Sequence, residues 1–336
     1  MNEVFSFFLL ITVVLIVVAA VVYAAAKVVE WRNPPIGKFL EVEGTKLHYV
    51  ERGSGAPIVF LHGNATMLQD FTISEVFSTA AKTNRAIAFD RPGFGYSTRP
   101  RTRTWTASEQ ADVIAVALRR LNLGPVALVG HSWGTLVAIA LAERHPALIR
   151  SVVVLSGYYY PVPRFDAALA AVGATPVVGD VLRYTVAPLF GLLMLPLTLR
   201  AMFAPCPVPD PFRRTFPRLM MLRPWQLRAS MNDGALMRRS AAALQGGYRD
   251  LKVPTSIAAG DSDRVVSPWH SEQLHGDVRG SELQVLSGIG HMVQHSAPQD
   301  VVAIVQGTAS ALEGQSATRV SARPSIDEGD GTLQHS

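Results

Sequence analysis

The chain of 336 residues contains a single cysteine, Cys206. One cysteine excludes an intrachain disulfide and a zinc site built from cysteines, and it leaves the redox compartment open. The sequence also lacks a run of lysine or arginine, a glycine-rich phosphate loop and internal repeats. We therefore expect no nucleic acid as a partner, no cofactor and no metal. The mild net charge of +5 directs attention to membrane surfaces instead.

Charged residues are absent from Phe5 to Ala26, a stretch rich in valine, leucine, isoleucine and phenylalanine. As an α-helix this stretch would span roughly 33 Å, enough for a hydrocarbon core of about 30 Å. A cleaved signal peptide, with Ala24–Ala26 as its cleavage site, is the alternative. However, no lysine or arginine precedes the apolar run, and the run is long for a signal. We therefore expect residues 1–32 to form a retained single-pass transmembrane helix.

The charges on either side of this run bear on its orientation. Lys27, Arg32 and Lys38 follow the run, whereas Glu3 precedes it. Because basic residues favour the cytoplasmic side, this asymmetry places the globular part in the cytoplasm. The next residues, 33–37, read Asn-Pro-Pro-Ile-Gly and predict a stiff linker without a helix.

Short apolar segments rich in β-type residues recur along the chain, with helical patterns between them. The amphipathic pattern of residues 106–121 predicts one helix, residues 135–144 a second, and residues 299–312 a third. This alternation predicts an α/β fold with a mostly parallel central sheet of about eight strands and helices on both faces. The first two strands form an antiparallel hairpin at its edge. The predicted strands are 39–42, 47–50, 58–61, 85–89, 126–129, 151–155, 255–259 and 283–286.

The alternation stops in residues 157–248, which are studded with proline and helical in character. A segment of about 90 residues is too long for a loop, so we predict a helical cap inserted into the core. The α/β core then consists of residues 33–156 and 249–312. Within the cap, Phe190–Leu195 is very apolar but by itself too short to span a membrane. Residues 313–336 are small and polar and predict a disordered tail.

The cap is also rich in arginine between residues 200 and 240. Two interpretations remain open: this basic face binds anionic lipid headgroups, or it is a solvated face with structural ion pairs. The arginines are Arg200, Arg213, Arg214, Arg218, Arg223, Arg228, Arg238 and Arg239, against Asp210 and Asp233.

Residues Gly130–Gly134 read Gly-His-Ser-Trp-Gly and lie between an apolar strand and a helix. This is the pattern of a nucleophile elbow, in which Ser132 occupies a sharp turn with its hydroxyl exposed. Side chains at the flanking glycines would clash where strand and helix pass closely. The alternative is a structural turn with an idle serine.

A serine hydroxyl is a weak nucleophile and needs a base, which in turn needs an orienting carboxylate. Asp261 and Asp263 follow one late strand, and His291 follows the next. Each therefore lies at the carboxyl end of a predicted strand, where open α/β sheets collect their ligands. The chain order is serine, aspartate, histidine, as in the hydrolases with this elbow.

On these motifs the sequence resembles the α/β-hydrolase family over roughly residues 38–312. The resemblance implies that Ser132 is the nucleophile, His291 the general base and Asp263 the acid. It favours Asp263 over Asp261, because the family pattern is Gly-x-x-Asp. The oxyanion hole is then formed by the backbone amides of Asn64 and Trp133. The motifs that carry the resemblance are His62–Asn64, Asp90–Gly95, Gly130–Gly134, Gly260–Asp263 and Gly290–His291.

The remaining polar residues near these motifs receive supporting roles. His62 usually shapes the oxyanion loop in family members, and His131 occupies a variable elbow position. His295 is a structural or pocket-edge histidine, and Asp261 caps a turn. Residues Arg91–Gly95 form a structural loop beside the site.

Cap-bearing relatives with similar loops, the haloalkane dehalogenases and epoxide hydrolases, use an aspartate nucleophile. The serine here argues for hydrolysis of an ester, thioester, amide or carbon–carbon bond. A cap rich in methionine, leucine and phenylalanine favours a small apolar substrate, such as a lipid-like ester. We therefore expect a membrane-anchored serine hydrolase. The alternatives are a carbon–carbon bond hydrolase, a cofactor-free perhydrolase or a non-catalytic interaction module, and the oligomeric state stays open.

Overall fold

The computed structural model describes residues 3–308. It opens with the helix α1, Glu3–Arg32, which contains the apolar run and whose side chains are almost all exposed. This helix is long and apolar enough to cross a membrane, as the sequence predicts. The predicted tail, residues 313–336, lies outside the described residues.

Eight strands form one sheet in the order β1-β2-β4-β3-β5-β6-β7-β8. The first two strands pair antiparallel with each other, β2 pairs antiparallel with β4, and every other pairing is parallel. The predicted fold class is thus confirmed, including the antiparallel hairpin at the edge. The strands are β1 (Lys38–Val42), β2 (Thr45–Arg52), β3 (Pro57–Leu61), β4 (Arg85–Phe89), β5 (Val126–His131), β6 (Ile149–Leu155), β7 (Thr255–Gly260) and β8 (Glu282–Leu286).

Helices cover both faces of the sheet, and five of them, α6 to α10, are inserted between β6 and β7 as the cap. Short 3₁₀ turns occupy Pro146–Leu148, Arg218–Leu222 and Tyr248–Asp250. The helices after α1 are α2 (Gln69–Thr72), α3 (Glu75–Thr83), α4 (Ala107–Arg120), α5 (Trp133–Arg144), α6 (Phe165–Ala174), α7 (Val178–Tyr184), α8 (Val186–Phe203), α9 (Asp210–Thr215), α10 (Pro224–Leu244), α11 (Trp269–Asp277), α12 (Val293–Ser296) and α13 (298–308).

The strand β3 shows how the two layers form. Its side chains alternate, so Val59 and Leu61 pack with α4 and α5 on one face of the sheet. Ile58 and Phe60 pack with α3 and α13 on the other. All four side chains are fully buried, as expected for a central parallel strand covered on both faces.

The apolar segment Phe190–Leu195 belongs to a longer helix than the sequence suggests. By length and composition α8 is able to cross a membrane, and so is the pair α6 and α7, which is bent by 96°, if counted as one span. The segment Phe190–Leu195 is itself too short to span a membrane, but the helix that contains it is not. Pro196, Thr198 and Arg200 interrupt the apolar run, but the helix continues through them to Phe203.

The last turns of α1 are bound to the globular part. Arg223 donates to the carboxylate of Glu30 at 2.8 Å, and the Tyr96 hydroxyl donates to the carbonyls of Glu30 and Asn33. Val22 and Ala26 are buried. Residues 33–37 lack a helix, as predicted. The end of α1 nevertheless contacts the globular part directly and is not connected to it through this linker alone.

Core and cap are joined by a buried cluster of charges around Asp233, on α10. Its side chain is fully buried and accepts from Arg91 at 2.7 Å and from Arg99 at 2.8 Å. Gln110, on α4, donates a third hydrogen bond at 3.1 Å. One carboxylate thus pairs with two guanidinium groups that the core loops bring to the cap.

Replacing Asp233 by asparagine removes this charge and leaves both buried guanidinium groups without an anion. We expect a loss of about 3–5 kcal/mol in the free energy of unfolding. The control is Asp210→Asn, at a cap carboxylate that pairs with exposed arginines and should cost about 1 kcal/mol or less. Thermal unfolding in detergent micelles measures both, and equal losses would contradict the structural role of Asp233.

Candidate active site

The turn between β5 and α5 holds Ser132 in an unusual backbone conformation, with φ of +52° and ψ of −121°. The Ser132 amide donates to the carbonyl of Leu155 on the neighbouring strand at 2.8 Å. A Cβ at Gly134 would lie 2.2 Å from the carbonyl oxygen of Leu61, and one at Gly130 would lie 2.8 Å from the carbonyl oxygen of Gly134. Glycine is thus required on both sides of the serine, as the sequence predicts.

The structure brings Ser132, His291 and Asp263 into one line of hydrogen bonds. The Nε2 atom of His291 lies 2.9 Å from Ser132 Oγ, and its Nδ1 lies 2.7 Å from Asp263 Oδ2. The other oxygen of Asp263 accepts from the amides of Val265 and Val266 at 2.8 and 3.0 Å. Asp263 is therefore held on its strand end and can fix the tautomer with hydrogen on Nδ1.

The alternative carboxylate, Asp261, is placed elsewhere. It is exposed, and its Oδ1 accepts from the amide of Gly288 and from the hydroxyl of Ser262, both at 2.8 Å. These contacts hold together the loops that follow β7 and β8. Asp261 thus has a turn-capping geometry, and it makes no hydrogen bond to His291.

Burial lowers the pKa of His291 below its ordinary value of 6.5. The carboxylate of Asp263 opposes this shift, while the neighbouring ring of His131 adds to it. The sum favours the neutral imidazole at neutral pH, with a lone pair on Nε2 facing the serine hydroxyl. A neutral imidazole in this position can accept the hydroxyl proton.

The loop after β3 passes directly beside the serine. A Cβ at Gly63 would stand 3.0 Å from Ser132 Cβ, so only glycine lets the loop come so close. The carbonyl of Gly63 accepts from Arg91 Nη2 at 2.9 Å and from His62 Nδ1 at 2.7 Å. This carbonyl and the Asn64 amide belong to one planar trans peptide and point in opposite directions. Arg91 and His62 therefore fix the direction in which the Asn64 amide donates.

His62 is a structural histidine in this arrangement. Its Nε2 accepts from the amide of Arg91 at 3.0 Å, while its Nδ1 donates to Gly63. Burial, aided by the Arg91 charge, lowers the pKa of His62 to about 4. The ring is therefore neutral, and both of its nitrogens are hydrogen-bonded to the backbone. This agrees with the predicted role of His62 in shaping the loop. The Arg91 guanidinium also donates to the carbonyl of His62 at 2.8 Å.

The side chain of Asn64 makes contacts that the sequence did not reveal. Its Nδ2 donates to the carbonyl of Ser230 at 3.1 Å, and its Oδ1 accepts from the Ser230 hydroxyl at 2.9 Å. Ser230 lies on α10 in the cap, 166 positions away. Asn64 therefore ties the loop beside the serine to the cap, which no local sequence signal indicates.

A second carboxylate stands behind His291. Asp70 is fully buried and lies 3.0 Å from His295 Nε2, 3.3 Å from His131 Nδ1 and 2.9 Å from the Gln294 amide. Burial raises its pKa, but the two imidazoles outweigh burial and hold it well below its usual range. His131 Nε2 donates to the carbonyl of His291 at 3.0 Å. The two histidines that the sequence set aside thus support the loop that carries His291.

A cavity of about 290 Å³ lies between α6 and α10 and reaches Asn64. Its walls include Leu227, Met231 and Met237, so it is largely apolar. Within residues 3–308, no group of three or more histidine, cysteine, aspartate or glutamate side chains is arranged to hold a metal ion.

The pKa of His291 is open to direct measurement. In protein labelled with ¹³C in its histidine rings and held in micelles, we expect the His291 signal to titrate below pH 6.5. The Asp263→Asn substitution should lower the midpoint further, because the carboxylate stabilises the imidazolium. The His291→Gln variant assigns the signal. A midpoint above 6.5, or an upward shift on Asp263→Asn, would contradict this electrostatic description.

Comparison with known proteins gives the same family along most of the chain. The family described as alpha/beta hydrolase fold matches residues 56–298. The chain is 25% identical over 312 residues to a cis-3-alkyl-4-alkyloxetan-2-one decarboxylase of Shewanella oneidensis, covering 88% of this chain and 95% of the relative. It is 26% identical over 270 residues to a 2-hydroxymuconate semialdehyde hydrolase of a Pseudomonas species, covering 79% and 91%.

Solved structures agree on the fold. A membrane phospholipase A superposes with a TM-score of 0.63 at 18% identity, covering 92% of this chain and 97% of the other. The region that matches the family contains strands β3 to β8, the elbow at Ser132 and the strand ends that carry Asp263 and His291. The chain therefore belongs to the α/β-hydrolase family.

Proposed function

We propose that the protein is a membrane-anchored serine hydrolase that cleaves an apolar ester through an acyl-enzyme. The observation that carries this proposal is the line from Ser132 Oγ through both nitrogens of His291 to Asp263, with contacts of 2.9 and 2.7 Å. A nucleophile, a base and an orienting carboxylate within hydrogen-bonding distance make up the machinery of acyl transfer.

In the proposed reaction, Ser132 Oγ attacks the acyl carbon while His291 Nε2 takes the hydroxyl proton. The imidazolium is stabilised by Asp263 and then gives that proton to the leaving alcohol, so the acyl group stays on the serine. A water molecule, activated by the same histidine, attacks the acyl-enzyme and releases the acid. The proton from this water returns to Ser132 Oγ.

The negative charge that develops on the acyl oxygen needs donors that are already in place. We assign this role to the backbone amides of Asn64 and Trp133. Trp133 is the first residue of α5, where amides have no acceptor within the helix. The peptide that carries the Asn64 amide is fixed by Arg91 and His62. A single donor of this kind contributes about 3 kcal/mol to lowering the barrier.

The apolar walls of the cavity beside Asn64 favour an apolar acyl or alcohol group in the substrate. The exposed apolar helix α1 favours a lipid-like substrate drawn from a membrane. The similarity to a membrane phospholipase A supports the same substrate class. We place the globular part in the cytoplasm, because Lys27, Arg32 and Lys38 follow the apolar run.

Hydrolysis of a carbon–carbon bond is the second candidate function. The relative named 2-hydroxymuconate semialdehyde hydrolase supports it, since it matches most of this chain. The same serine and histidine would serve either reaction. The substrate therefore decides between the two, rather than the groups next to Ser132.

A fluorophosphonate probe tests the proposed nucleophile. We expect covalent labelling of the wild-type protein at Ser132 and no labelling of Ser132→Ala, because the probe reacts with an activated serine hydroxyl. Ser262→Ala, a serine on the loop after β7, is the matched control and should label normally. Labelling that persists in Ser132→Ala would exclude this nucleophile.

A substrate panel then separates the two candidate functions. We expect kcat/KM for soluble acyl esters to rise with acyl length. Each buried CH₂ should lower the activation barrier by about 0.8 kcal/mol, which raises kcat/KM roughly fourfold. A ring-cleavage product of the diketone type should be turned over poorly. The reverse preference, with Ser132→Ala inactive on the diketone, would establish the second candidate instead.

A further inference from the structure

Side chains on the outer face of α8 are large, apolar and uncovered. The cap helices of a water-soluble enzyme normally present polar residues outward, and contiguous apolar patches mark a surface that another phase or molecule covers. The only charged residue in this helix, Arg200, lies in its last turn. The six side chains concerned, between 52% and 76% exposed, are Val186, Leu189, Phe190, Leu192, Leu193 and Leu197.

This apolar face is continuous with α1. Val21, Val22 and Ala25 of α1 line an apolar groove of about 250 Å³ together with Leu189 and Leu192 of α8. The helix α7 also packs against α1 and exposes Val178 and Val181. The apolar surface of the cap therefore continues from α8 onto α1 across this groove.

We propose that this face, formed by α7 and α8, is immersed in the same membrane leaflet as the end of α1, so that the cap itself is a lipid-facing element. The inference rests on the proposed anchoring by α1. Val21 to Ala26 belong to the apolar run that spans the bilayer, and they cover about 8 Å of its length. Because Leu189 and Leu192 pack at that level, α8 lies below the membrane surface by a similar depth.

The structure also decides between lying on a membrane and crossing it. The start of α8 packs on α7, which itself packs on α6 and α10 of the cap, whereas Phe203 at the end of α8 packs against Phe212 and His295, with ring centroids 4.9 and 5.8 Å apart. Both ends of the helix thus contact the same globular part. The inner face of α8 is buried through Leu195 and Phe203, so only the outer face of this helix can contact lipid. The helix lies along the membrane, although its length would suffice to cross it.

Arginines rim the apolar face where a bilayer would present phosphates. Arg200, Arg213 and Arg218 line a groove of about 600 Å³ together with Leu192 and Leu199. An apolar surface bordered by basic side chains is the pattern of an interfacial segment, whose charges meet anionic headgroups. The exposed arginines of the basic cap, noted in the sequence, thus border the helix proposed to face lipid.

For the proposed reaction, immersion of α8 would bring a membrane-borne substrate close to the catalytic groups. The inner face of α8 packs in a cluster with Met67, Met220 and Met292, and Met292 directly follows His291. A single helix therefore separates hydrocarbon from the loop that carries the base. Immersion of this helix would let an acyl chain reach the cap from lipid, without passing through water.

Nitroxide labels on the full-length protein in vesicles of phosphatidylcholine and phosphatidylglycerol test the immersion. Cys206→Ser gives a cysteine-free background, into which Leu193→Cys, Val13→Cys and Glu282→Cys are introduced one at a time. Val13 lies in the middle of α1, and Glu282 is exposed at the amino end of β8, on the side of the sheet away from the cap. Oxygen collects in lipid, whereas a nickel chelate stays in water.

We expect the ratio of oxygen to nickel collision rates at position 193 to be several-fold higher than at 282 and to approach that at 13. A nickel-accessible label at 193, with a lipid-exposed label at 13, would overturn the inference and leave the anchor intact. Protection at 193 from both reagents would also overturn it, since a second copy of the chain would then cover the face. A nickel-accessible label at 13 would refute the anchor itself. None of these outcomes depends on catalysis by Ser132.

Discussion

The strained turn at Ser132 is the constraint on which the rest of the site depends. A serine with positive φ is held there because β5 and α5 pack against the neighbouring strands through glycine. The same close approach brings the Gly63 peptide against the serine. Once the turn is fixed, the strand ends after β7 and β8 need only present one carboxylate and one imidazole. Their separation then follows from the parallel register of β7 and β8.

The polarity of the cap is inverted relative to a soluble helical domain. Its inner surface contains charges, with Asp233 and Arg223 buried, and its outer surface contains leucine, valine and phenylalanine. The buried charges are tolerated because each guanidinium finds a carboxylate or carbonyl, and Asp233 of the cap accepts from two arginines of the core. Such a cap is matched to an environment that is polar toward the core and apolar on the outside. The proposed position against a bilayer would provide such an environment.

The helix α1 is more than a tether in this structure. The contacts of Glu30 with Arg223 and of Tyr96 with the end of the helix give α1 a defined angle to the cap. A proline-rich linker alone would leave that angle free. The docking therefore couples the orientation of α1 to that of the cap. In the proposed membrane arrangement, it also sets which side of the cap faces the lipid.

Much of this protein was determined by its sequence. The eight strands, the elbow and the apolar helix at the start follow from local patterns, since periodicity and glycine spacing reflect backbone sterics within a few residues. The choice of Asp263 over Asp261 came instead from the resemblance to the α/β-hydrolase family. The same resemblance assigned the base to His291 and set His62, His131 and His295 aside. The structure places His291 2.9 Å from the serine, while its catalytic role remains a prediction.

Tertiary structure alone decided the contacts between distant segments. Asp233 meets Arg91 across 142 positions, and Asn64 meets Ser230 across 166, and neither pair shares a local pattern that would announce it. The full length of α8 was also hidden, because Pro196 and Arg200 break its composition without breaking its hydrogen-bonded helix. Hydrophobic pattern and turn chemistry act locally, whereas the pairing of buried charges and the choice of an outer face depend on how the whole chain packs.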